Sequence, residues 1–295
     1  MGPWHHGQWG RNDGSFLGNV QFGANTSEWF GKNIELPFFN YYLKNKGSID
    51  QIKEANIFIS GANEWKTFAT WPATNMKMTS YALSKNGKFG PATTKTNTSF
   101  DEYVSDPAKP VPYVPEIHSG RTQEYMTDDQ RFAARRPDVL VYQTDVLKND
   151  ITLAGPIVAD LMVSTSGTDA DFVVKVIDVY PDDFENEKPT NHVMNGYQML
   201  VRGEVMRGKF RNSFEKPEAF VANKPTQVKF TLPDIAHDFK KSHRIMIQIQ
   251  SSWFPLVDRN PQKFMNIYTA KDSDFQKATI RIYHDASTIQ LPVLQ

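Results

Sequence analysis

The chain has 295 residues, no cysteine, and equal numbers of basic and acidic residues, with 33 Lys plus Arg and 33 Asp plus Glu. This length suits one large or two ordinary domains with a substantial core, and it argues against a disordered chain. Since no block of like charge occurs, we expect neither a nucleic-acid nor a membrane partner, and the lack of cysteine excludes disulfide bonds, thiolate catalysis and cysteine-based zinc sites.

Two further classes are disfavoured by the hydropathy pattern. No run approaches the roughly 20 apolar residues of a membrane span. The first residues lack the basic start and apolar core of a signal peptide, although a leader could precede Met1 in a longer protein. The compartment therefore stays open on the residues alone.

The first candidate functional segment is residues 2–7, Gly-Pro-Trp-His-His-Gly. Proline fixes its own φ and disfavours helix at the preceding residue, so this segment predicts a tight, extended turn that presents an imidazole. An imidazole titrates near neutral pH and can carry a proton between a nucleophile and a leaving group. The competing interpretation is a plain surface histidine, and the residues alone favour that interpretation.

A glycine-rich loop over residues 11–23 precedes a predicted helix at residues 27–45. Large apolar residues recur there at spacings near three and four, and Thr26 or Ser27 can cap the first turn. Pro37 inside the pattern predicts a bend, and Lys44 to Gly47 predict a basic last turn with a glycine stop. A strand is predicted next, over residues 55–60.

From about residue 72 onward the pattern is that of β-structure. Short apolar runs separated by Pro, Gly, Asn and Asp predict strands at residues 139–142, 172–179, 228–232, 245–250 and 279–283. Val228, Phe230 and Leu232 share one face of their strand, while Lys229 and Thr231 share the other. Many short strands without helical pattern between them favour an antiparallel sandwich or jelly roll.

Five motifs resemble the cocaine esterase and α-amino-acid ester hydrolase family of serine hydrolases. They are residues 2–6, 105–112, 136–140, 169–175 and 251–255. By the runs at residues 105–112 and 251–260 the chain is most similar to the α-amino-acid ester hydrolases, often named glutaryl-7-aminocephalosporanic acid acylases. The family carries an X-Pro dipeptidyl-peptidase C-terminal domain.

The resemblance implies a mainly β fold with two parts. Residues 1–72 would be the C-terminal remnant of an α/β-hydrolase domain, comprising its last loop, helix and strand. Residues 73–295 would form a jelly-roll (galactose-binding-like) β-sandwich. No low-complexity linker separates the two, so we expect them to pack together.

The resemblance implies that His6, the last residue of Gly-Pro-Trp-x-His, is the base of a Ser-His-Asp triad. The nucleophile elbow Gly-x-Ser-x-Gly does not occur in these 295 residues, and only five residues precede His6. The serine and aspartate must then come from a missing upstream portion, and this chain alone is expected to be inactive. Ser15 and Ser27 are poor substitutes because nothing provides a strained elbow or an oxyanion hole.

A substrate-pocket wall is also implied by the resemblance. The family lines the acyl side of its pocket with residues just beyond the proline-locked loop at 105–112. We therefore expect Trp4, Tyr113, Val114, Pro115 and Ile117 to line the pocket, with a plain surface loop as an equally good alternative.

No metal or cofactor is expected. Asp169, Asp171 and Asp178 lack calcium-loop spacing, and residues 166–169 are better explained as a turn that leads into a strand. His5 and His6 on an extended turn point apart. The aromatic block at residues 251–261 could expose Trp253 and Phe254 as a carbohydrate platform. We favour their burial between the two parts, with Arg259 paired to a carboxylate.

The sequence therefore predicts the C-terminal part of a serine hydrolase that cleaves esters or amides of small acyl groups, such as α-amino-acid esters or β-lactam side chains. By family analogy the protein would be periplasmic or secreted, and a homo-oligomer is compatible with it. The alternative is a standalone β-sandwich that binds carbohydrate or protein without catalysis. A third interpretation is a truncated gene product that cannot fold alone.

Overall fold

The computed structural model describes residues 1–92, 99–185 and 192–295. The helices are α1 (Thr26–Phe30), α2 (Leu36–Lys44) and α3 (Arg131–Ala134). The strands are β1 (Phe16–Leu17), β2 (Val20–Gln21), β3 (Ala55–Ile59), β4 (Glu64–Phe68), β5 (Met76–Ser84), β6 (Lys88–Pro91), β7 (Phe100–Ser105), β8 (Leu140–Gln143), β9 (Ile151–Thr165), β10 (Asp171–Val179), β11 (Gln198–Arg207), β12 (Thr226–Phe239), β13 (Arg244–Gln250), β14 (Ala278–Tyr283) and β15 (Thr288–Leu294). The predicted mainly β class is confirmed.

The predicted helix forms, and the structure adds a π-helical turn within it. Gly31–Glu35 joins α1 to α2 as a π-helix, in which the Leu36 N–H donates to the Gly31 carbonyl. Pro37, which has no N–H to donate, follows immediately, so the wider turn accommodates the proline where we expected a simple bend. The helix ends at Asn45, whose left-handed φ of 52° makes it the stop residue that we had predicted at Gly47.

One large sheet holds most of the remaining strands. Its order is β11-β10-β13-β8-β6-β5-β15-β9-β14-β7, and β12 pairs with β9 beside this path. The long strands β9 and β12 are antiparallel, with Val228 opposite Leu161. Along β12 the residues Val228, Phe230 and Leu232 are buried and Lys229 and Thr231 are exposed, as the alternation predicted.

The sheet folds over on itself around one hydrophobic core. Strands β10 and β9 lie far apart in the strand order, yet Phe172 and Val174 of β10 belong to the same buried cluster as Leu161 and Val163 of β9. Burial of each such side chain stabilises the fold by about 1.5–3 kcal/mol. The strands of this sheet therefore form one body around a shared buried cluster.

Residues 1–72 pack directly on this body. Ser60, just after β3, forms a parallel β-bridge with His237 of β12. Gly61 has a φ of +83°, and a Cβ there would lie 2.1 Å from the Asp238 carbonyl oxygen, so only glycine fits this close approach. Leu17 and Phe22 of the β1–β2 segment share a buried cluster with residues from the other part, namely Met194, Tyr197 and Met199.

Among the described residues, no helix is both long enough and apolar enough to span a membrane. In the part of the chain that the structure describes, the longest uninterrupted α-helix is α2, with nine residues. The predicted boundary at residue 72 stays a prediction; in the structure β4 ends at Phe68 and β5 begins at Met76.

Candidate functional site

The Gly-Pro-Trp segment is held by the tryptophan ring. Trp4 folds back over Gly2, where an added Cβ would lie 2.3 Å from the indole, so position 2 accepts only glycine. The Trp4 Nε1–H donates to Thr26 Oγ1 at 2.8 Å, which ties the segment to the start of α1. The start of the turn that carries His5 and His6 is therefore held in place by Trp4.

Gln8 holds the other end of the histidine turn, and sequence reasoning missed it. Its side chain is 2% exposed; Nε2 donates to the Phe16 carbonyl at 2.7 Å, and Oε1 accepts from the His5 N–H at 3.2 Å. Gly7 between them has a φ of +76°, a left-handed conformation that glycine adopts without strain. His5 and His6 thus stand on a turn that is anchored at both ends.

The two histidines differ in their surroundings. His5 is half-buried, and its Nδ1 lies 3.2 Å from the His6 carbonyl oxygen. The His6 side chain is exposed, and none of the described residues forms a hydrogen bond with its ring. The His6 ring is therefore open to an additional partner, and the assignment of His6 as a catalytic base stays a prediction.

The turn rests on a cluster of aromatic rings. Trp4 contacts Trp9, Phe30 and Trp65 at centroid distances of 5.9, 5.2 and 5.9 Å, and Trp29 stacks on Trp65 at 4.4 Å. Trp4, predicted as part of the pocket wall, is half-buried in this cluster. Its main role in the described residues is to fix the turn on α1 and β4.

The backbone of Met1 is hydrogen-bonded to β3. Its amino group donates to the Asn56 carbonyl at 2.8 Å, and the Phe58 N–H donates to the Met1 carbonyl at 2.9 Å. These two bonds are the pattern of a parallel β-bridge to Ile57 in the middle of β3. Met1 therefore runs parallel to β3, and residues 2–7 follow it toward the carboxyl end of that strand.

The predicted pocket wall divides into buried and exposed residues. Tyr113 and Val114 are 5% and 2% exposed and pack in a cluster with Trp253. The Tyr113 hydroxyl accepts from the Thr122 N–H at 3.0 Å, so its ring stabilises the loop that follows. Pro115 and Ile117 are exposed, Ile117 completely, and these two can reach a neighbouring surface.

Carboxylates surround the same loop. Burial and, to a smaller extent, the negative charges of Glu124 and Glu116 together raise the pKa of Asp128 to about 6, against a lowering by His118. Asp128 is thus an acid whose ionisation is opposed by its surroundings at neutral pH. The neighbouring loop contacts the β1–β2 segment, where Thr127 Oγ1 donates to the Leu17 carbonyl at 3.1 Å.

The three aspartates considered as metal ligands have separate partners. Asp169 Oδ1 accepts from the Ala170 N–H at 2.9 Å, as expected of a turn residue, and Asp171 pairs with Arg207 at 3.1 Å. Asp178 lies between two histidines. In the described parts of the chain, no group of three or more potential ligands is arranged to hold a metal ion.

Sequence reasoning missed the buried network around Asp178. His237 Nε2 lies 3.1 Å from Asp178 Oδ2, His243 Nδ1 lies 2.8 Å from Oδ1, and Ser60 Oγ lies 2.8 Å from His237 Nδ1. Burial opposes the ionisation of Asp178, but the hydrogen bonds from both histidines outweigh it and hold its pKa below the ordinary value. Only tertiary contact brings these residues together, because Ser60 and His237 are 177 positions apart.

This Ser-His-Asp chain is a structural contact between the two parts. Ser60 Oγ donates its proton to the Ala236 carbonyl at 3.1 Å, and its approach to His237 is through Nδ1, the opposite nitrogen to that of a serine-protease triad. A similar chain joins Ser99 Oγ to His284 Nδ1 at 2.8 Å, and His284 Nε2 lies 2.8 Å from Asp101 Oδ2. Recurrence at a second position favours a structural role for the arrangement.

Lys175 is a second buried ionisable residue that the sequence did not single out. It is 0% exposed, its Nζ donates to Gln130 Oε1 at 2.9 Å, and it lies 5.2 Å from the Trp253 ring centroid. Burial lowers its pKa to about 7. Among the described residues it has no ion-pair partner.

The aromatic block after β13 is mostly structural. Trp253 is 6% exposed and Phe254 is 37% exposed, so the tryptophan is buried and the phenylalanine only in part. The expected position between the two parts is wrong, because the cluster around Trp253 lies wholly within residues 113–257. The expectation that Arg259 pairs with a carboxylate is wrong. Arg259 donates to the Pro107 carbonyl at 3.0 Å and lies over the Phe275 ring at 4.8 Å, because it closes the proline-rich loop onto this block.

Comparison with known protein families shows which family this chain belongs to. Residues 43–290 match the X-Pro dipeptidyl-peptidase C-terminal non-catalytic domain. Since the match covers most of the chain, the chain belongs to this family.

Three relatives are hydrolases by name. The chain is 28% identical to the cocaine esterase of Rhodococcus sp. (strain MB1 Bresler), over 100% of the chain and 51% of the esterase. It is 40% identical to the crystal structure of an aminopeptidase from the marine sediment archaeon Thaumarchaeota archaeon, with a TM-score of 0.92 over 100% of this chain and 48% of that one. The chain is also 39% identical to an α-amino acid ester hydrolase of known structure, with a TM-score of 0.92. That match covers 99% of this chain and 49% of the hydrolase chain.

The chain therefore spans about half the length of the relatives it matches. It is similar to part of an ester or peptide hydrolase, and the family domain that covers residues 43–290 is a non-catalytic one.

Proposed function

We propose that this chain is the C-terminal part of a serine hydrolase in which His6 is the general base and acid of a Ser-His-Asp triad. The serine and the aspartate come from the polypeptide upstream of Met1. The complete enzyme cleaves esters or amides of small acyl groups, with α-amino-acid esters and β-lactam side chains as the leading substrate class. The present chain alone is inactive because it has a base without its nucleophile.

The observation that carries this proposal is the anchored turn. Trp4 and Gln8 fix residues 2–7 from both sides and leave the His6 ring exposed. A base must be held in place to act on a nucleophile, since misplacement by about 1 Å can cost 10²-fold in rate. A surface histidine of no function would not require a glycine-only position and a buried glutamine beneath it.

The parallel bridge of Met1 to Ile57 supports the position of the site. In α/β sheets, ligands bind at the carboxyl ends of parallel strands. A strand running into Met1 beside β3 delivers residues 2–7 to that edge. An upstream elbow that ends a neighbouring parallel strand would bring its serine to the same edge.

The wall of the pocket is assigned to the loop after residue 112. Pro115 and Ile117 would contact the acyl group because both are exposed, and Tyr113 and Val114 would support them from within the core. Trp4 would act mainly by positioning the turn. The alternative of a carbohydrate platform is not favoured, because Trp253 is buried.

The test is covalent labelling by a fluorophosphonate, which reacts with activated serines. The chain extended upstream of Met1 by the portion that its relatives carry should be labelled at one serine upstream of Met1. The His6→Ala variant should be labelled at least about 10²-fold more slowly, and His5→Ala at nearly the parental rate. Labelling of a serine within residues 1–295 would refute the proposal. Equal labelling rates for the extended chain and its His6→Ala and His5→Ala variants would also refute it.

A further inference from the structure

The loop after residue 112 makes a short excursion into solvent. Residues 115–122, which we call the flap, leave the buried residues Tyr113 and Val114 and return to the protein at Thr122. Thr122 is half-buried, and the other residues of the flap are exposed. A compact surface loop whose ends lie close together depends on the contacts at its base for a defined position.

The base of the flap is held by one hydroxyl group. The Tyr113 hydroxyl accepts from the Thr122 N–H at 3.0 Å and donates to the Gly120 carbonyl at 3.4 Å. Among the described residues, no other hydrogen bond or ion pair ties residues 115–122 to the rest of the chain. The hydroxyl therefore closes the loop between two residues that are nine positions apart.

The Tyr113 ring is itself fixed by the core. The Tyr113 backbone N–H donates to the Phe254 carbonyl at 2.9 Å, and the ring lies edge-on to Tyr125 at a centroid distance of 5.7 Å. The buried cluster around this ring includes Met246 and Trp253. A hydroxyl on a fixed ring gives the flap one position, whereas an exposed segment without that contact would sample many conformations.

The flap carries one large aliphatic side chain, that of Ile117, which is completely exposed. Single exposed apolar side chains are common on protein surfaces, so the exposure alone indicates no role. In the proposed function, however, Pro115 and Ile117 contact the acyl group. The position of the flap then determines whether Ile117 reaches an apolar side chain on that group.

We propose that Tyr113 is a positioning residue for substrate specificity. Its hydroxyl holds the flap so that Ile117 contacts an apolar side chain of the acyl group, which favours α-amino-acid esters with such a side chain over the glycine ester. This role rests on the proposed function for the reaction itself, and it adds the residue that sets the pocket wall and the apolar subclass of substrate.

Amide hydrogen exchange of the present chain tests whether the hydroxyl holds the flap. Tyr113→Phe keeps the ring and removes the hydroxyl, so the Thr122 amide should exchange about tenfold faster. Tyr125→Phe is the matched control, because in the described parts of the chain the Tyr125 hydroxyl has no hydrogen bond to the flap; Thr122 should then exchange at the parental rate. The amides of β13 should be equally protected in all three proteins, which shows that the fold is intact.

Hydrolysis by the chain extended upstream of Met1 tests the specificity, with the para-nitrophenyl esters of leucine and glycine as substrates. Tyr113→Phe should lower the leucine-to-glycine ratio of kcat/KM about tenfold, through a higher KM for the leucine ester with little change in kcat. Ile117→Ser should lower the ratio similarly and leave the exchange of Thr122 unchanged. Because Tyr113 acts through Ile117, the double variant should lose about as much as Ile117→Ser alone. Tyr125→Phe should keep the parental ratio, and a general loss of structure would lower both rates alike.

Each part of the proposal can be overturned separately. Unchanged exchange of Thr122 in Tyr113→Phe would overturn the role of the hydroxyl. An unchanged ratio in that variant, or losses that add up in the double variant, would overturn the role in specificity. An extended chain without a labelled serine would reject the proposed function and the specificity with it, while the exchange of Thr122 would still decide whether the hydroxyl holds the flap.

Discussion

Replacing His237 with phenylalanine should destabilise the chain strongly at neutral pH. The ring packs edge-on against Phe239 at 4.7 Å, and phenylalanine can keep that contact. The substitution removes both hydrogen bonds of the imidazole, at 2.8 Å to Ser60 Oγ and at 3.1 Å to Asp178 Oδ2. Asp178 is 1% exposed and would keep one of its two histidine partners.

The expected cost is about 3–5 kcal/mol, the range for removing one partner of a buried charge. The cost should depend on pH. In the parent, the pKa of Asp178 is lower in the folded state than its ordinary value of 3.8. This difference stabilises the fold when the pH is above 3.8, and the stabilisation is lost as the pH falls through the folded-state pKa. Without His237 that pKa rises, so the difference between variant and parent should shrink as pH falls toward 4.

His284→Phe is the matched control. His284 is similarly buried and its Nδ1 lies 2.8 Å from Ser99 Oγ, but its Nε2 is 2.8 Å from Asp101 Oδ2 without the geometry of a hydrogen bond. The Asp101 side chain is also 36% exposed and accepts from the Tyr142 hydroxyl at 3.0 Å. Since water can solvate Asp101, the control should lose only about 1–2 kcal/mol. Urea unfolding followed by circular dichroism measures both; equal losses for the two variants, or a loss for His237→Phe that does not change with pH, would refute the reasoning.

Two further substitutions test buried charges outside the Asp178 network. Lys175→Met should stabilise the chain by a few kcal/mol, because burial lowers the lysine pKa from 10.5 to about 7 and each pKa unit is worth about 1.4 kcal/mol. The gain in stability should be larger at pH 6 than at pH 9, and thermal unfolding at these two pH values measures it. Asp128→Asn should raise Tm at pH 7.5 and change it little at pH 4. The pKa of Asp128 is raised to about 6 in the folded state, so the ionised carboxylate destabilises the fold at pH 7.5 and the protonated group does not at pH 4. A larger effect on Tm at pH 4 than at pH 7.5 would contradict this reasoning.

Local patterns in the sequence predicted much of the fold. Alternation fixed the buried face of β12, and the Thr26–Lys44 helix followed from apolar spacing and a start near Thr26. The π-turn Gly31–Glu35 was missed, because the pattern shows that Pro37 must disturb the helix but not which hydrogen bond changes. The stop at Asn45 was missed because asparagine adopts the left-handed conformation less commonly than glycine.

The candidate site was predicted in part. The motif selected His6, whose catalytic role stays a prediction, and it did not indicate that Trp4 and Gln8 anchor the turn. The residues that require distant segments to meet could not be found in the same way. His237, Ser60 and Lys175 each look ordinary in sequence, because their partners come from distant segments: Ser60 meets His237, and Lys175 meets Gln130.

The most direct test of the account is the hydrolysis of an activated α-amino-acid ester by the chain extended upstream of Met1. The account predicts that His6→Ala lowers kcat/KM by about 10²–10⁴-fold, since a positioned base contributes that much, while His5→Ala changes it less than tenfold. An unchanged kcat/KM in His6→Ala, or a loss confined to His5→Ala, would contradict the assignment of His6 as the triad base.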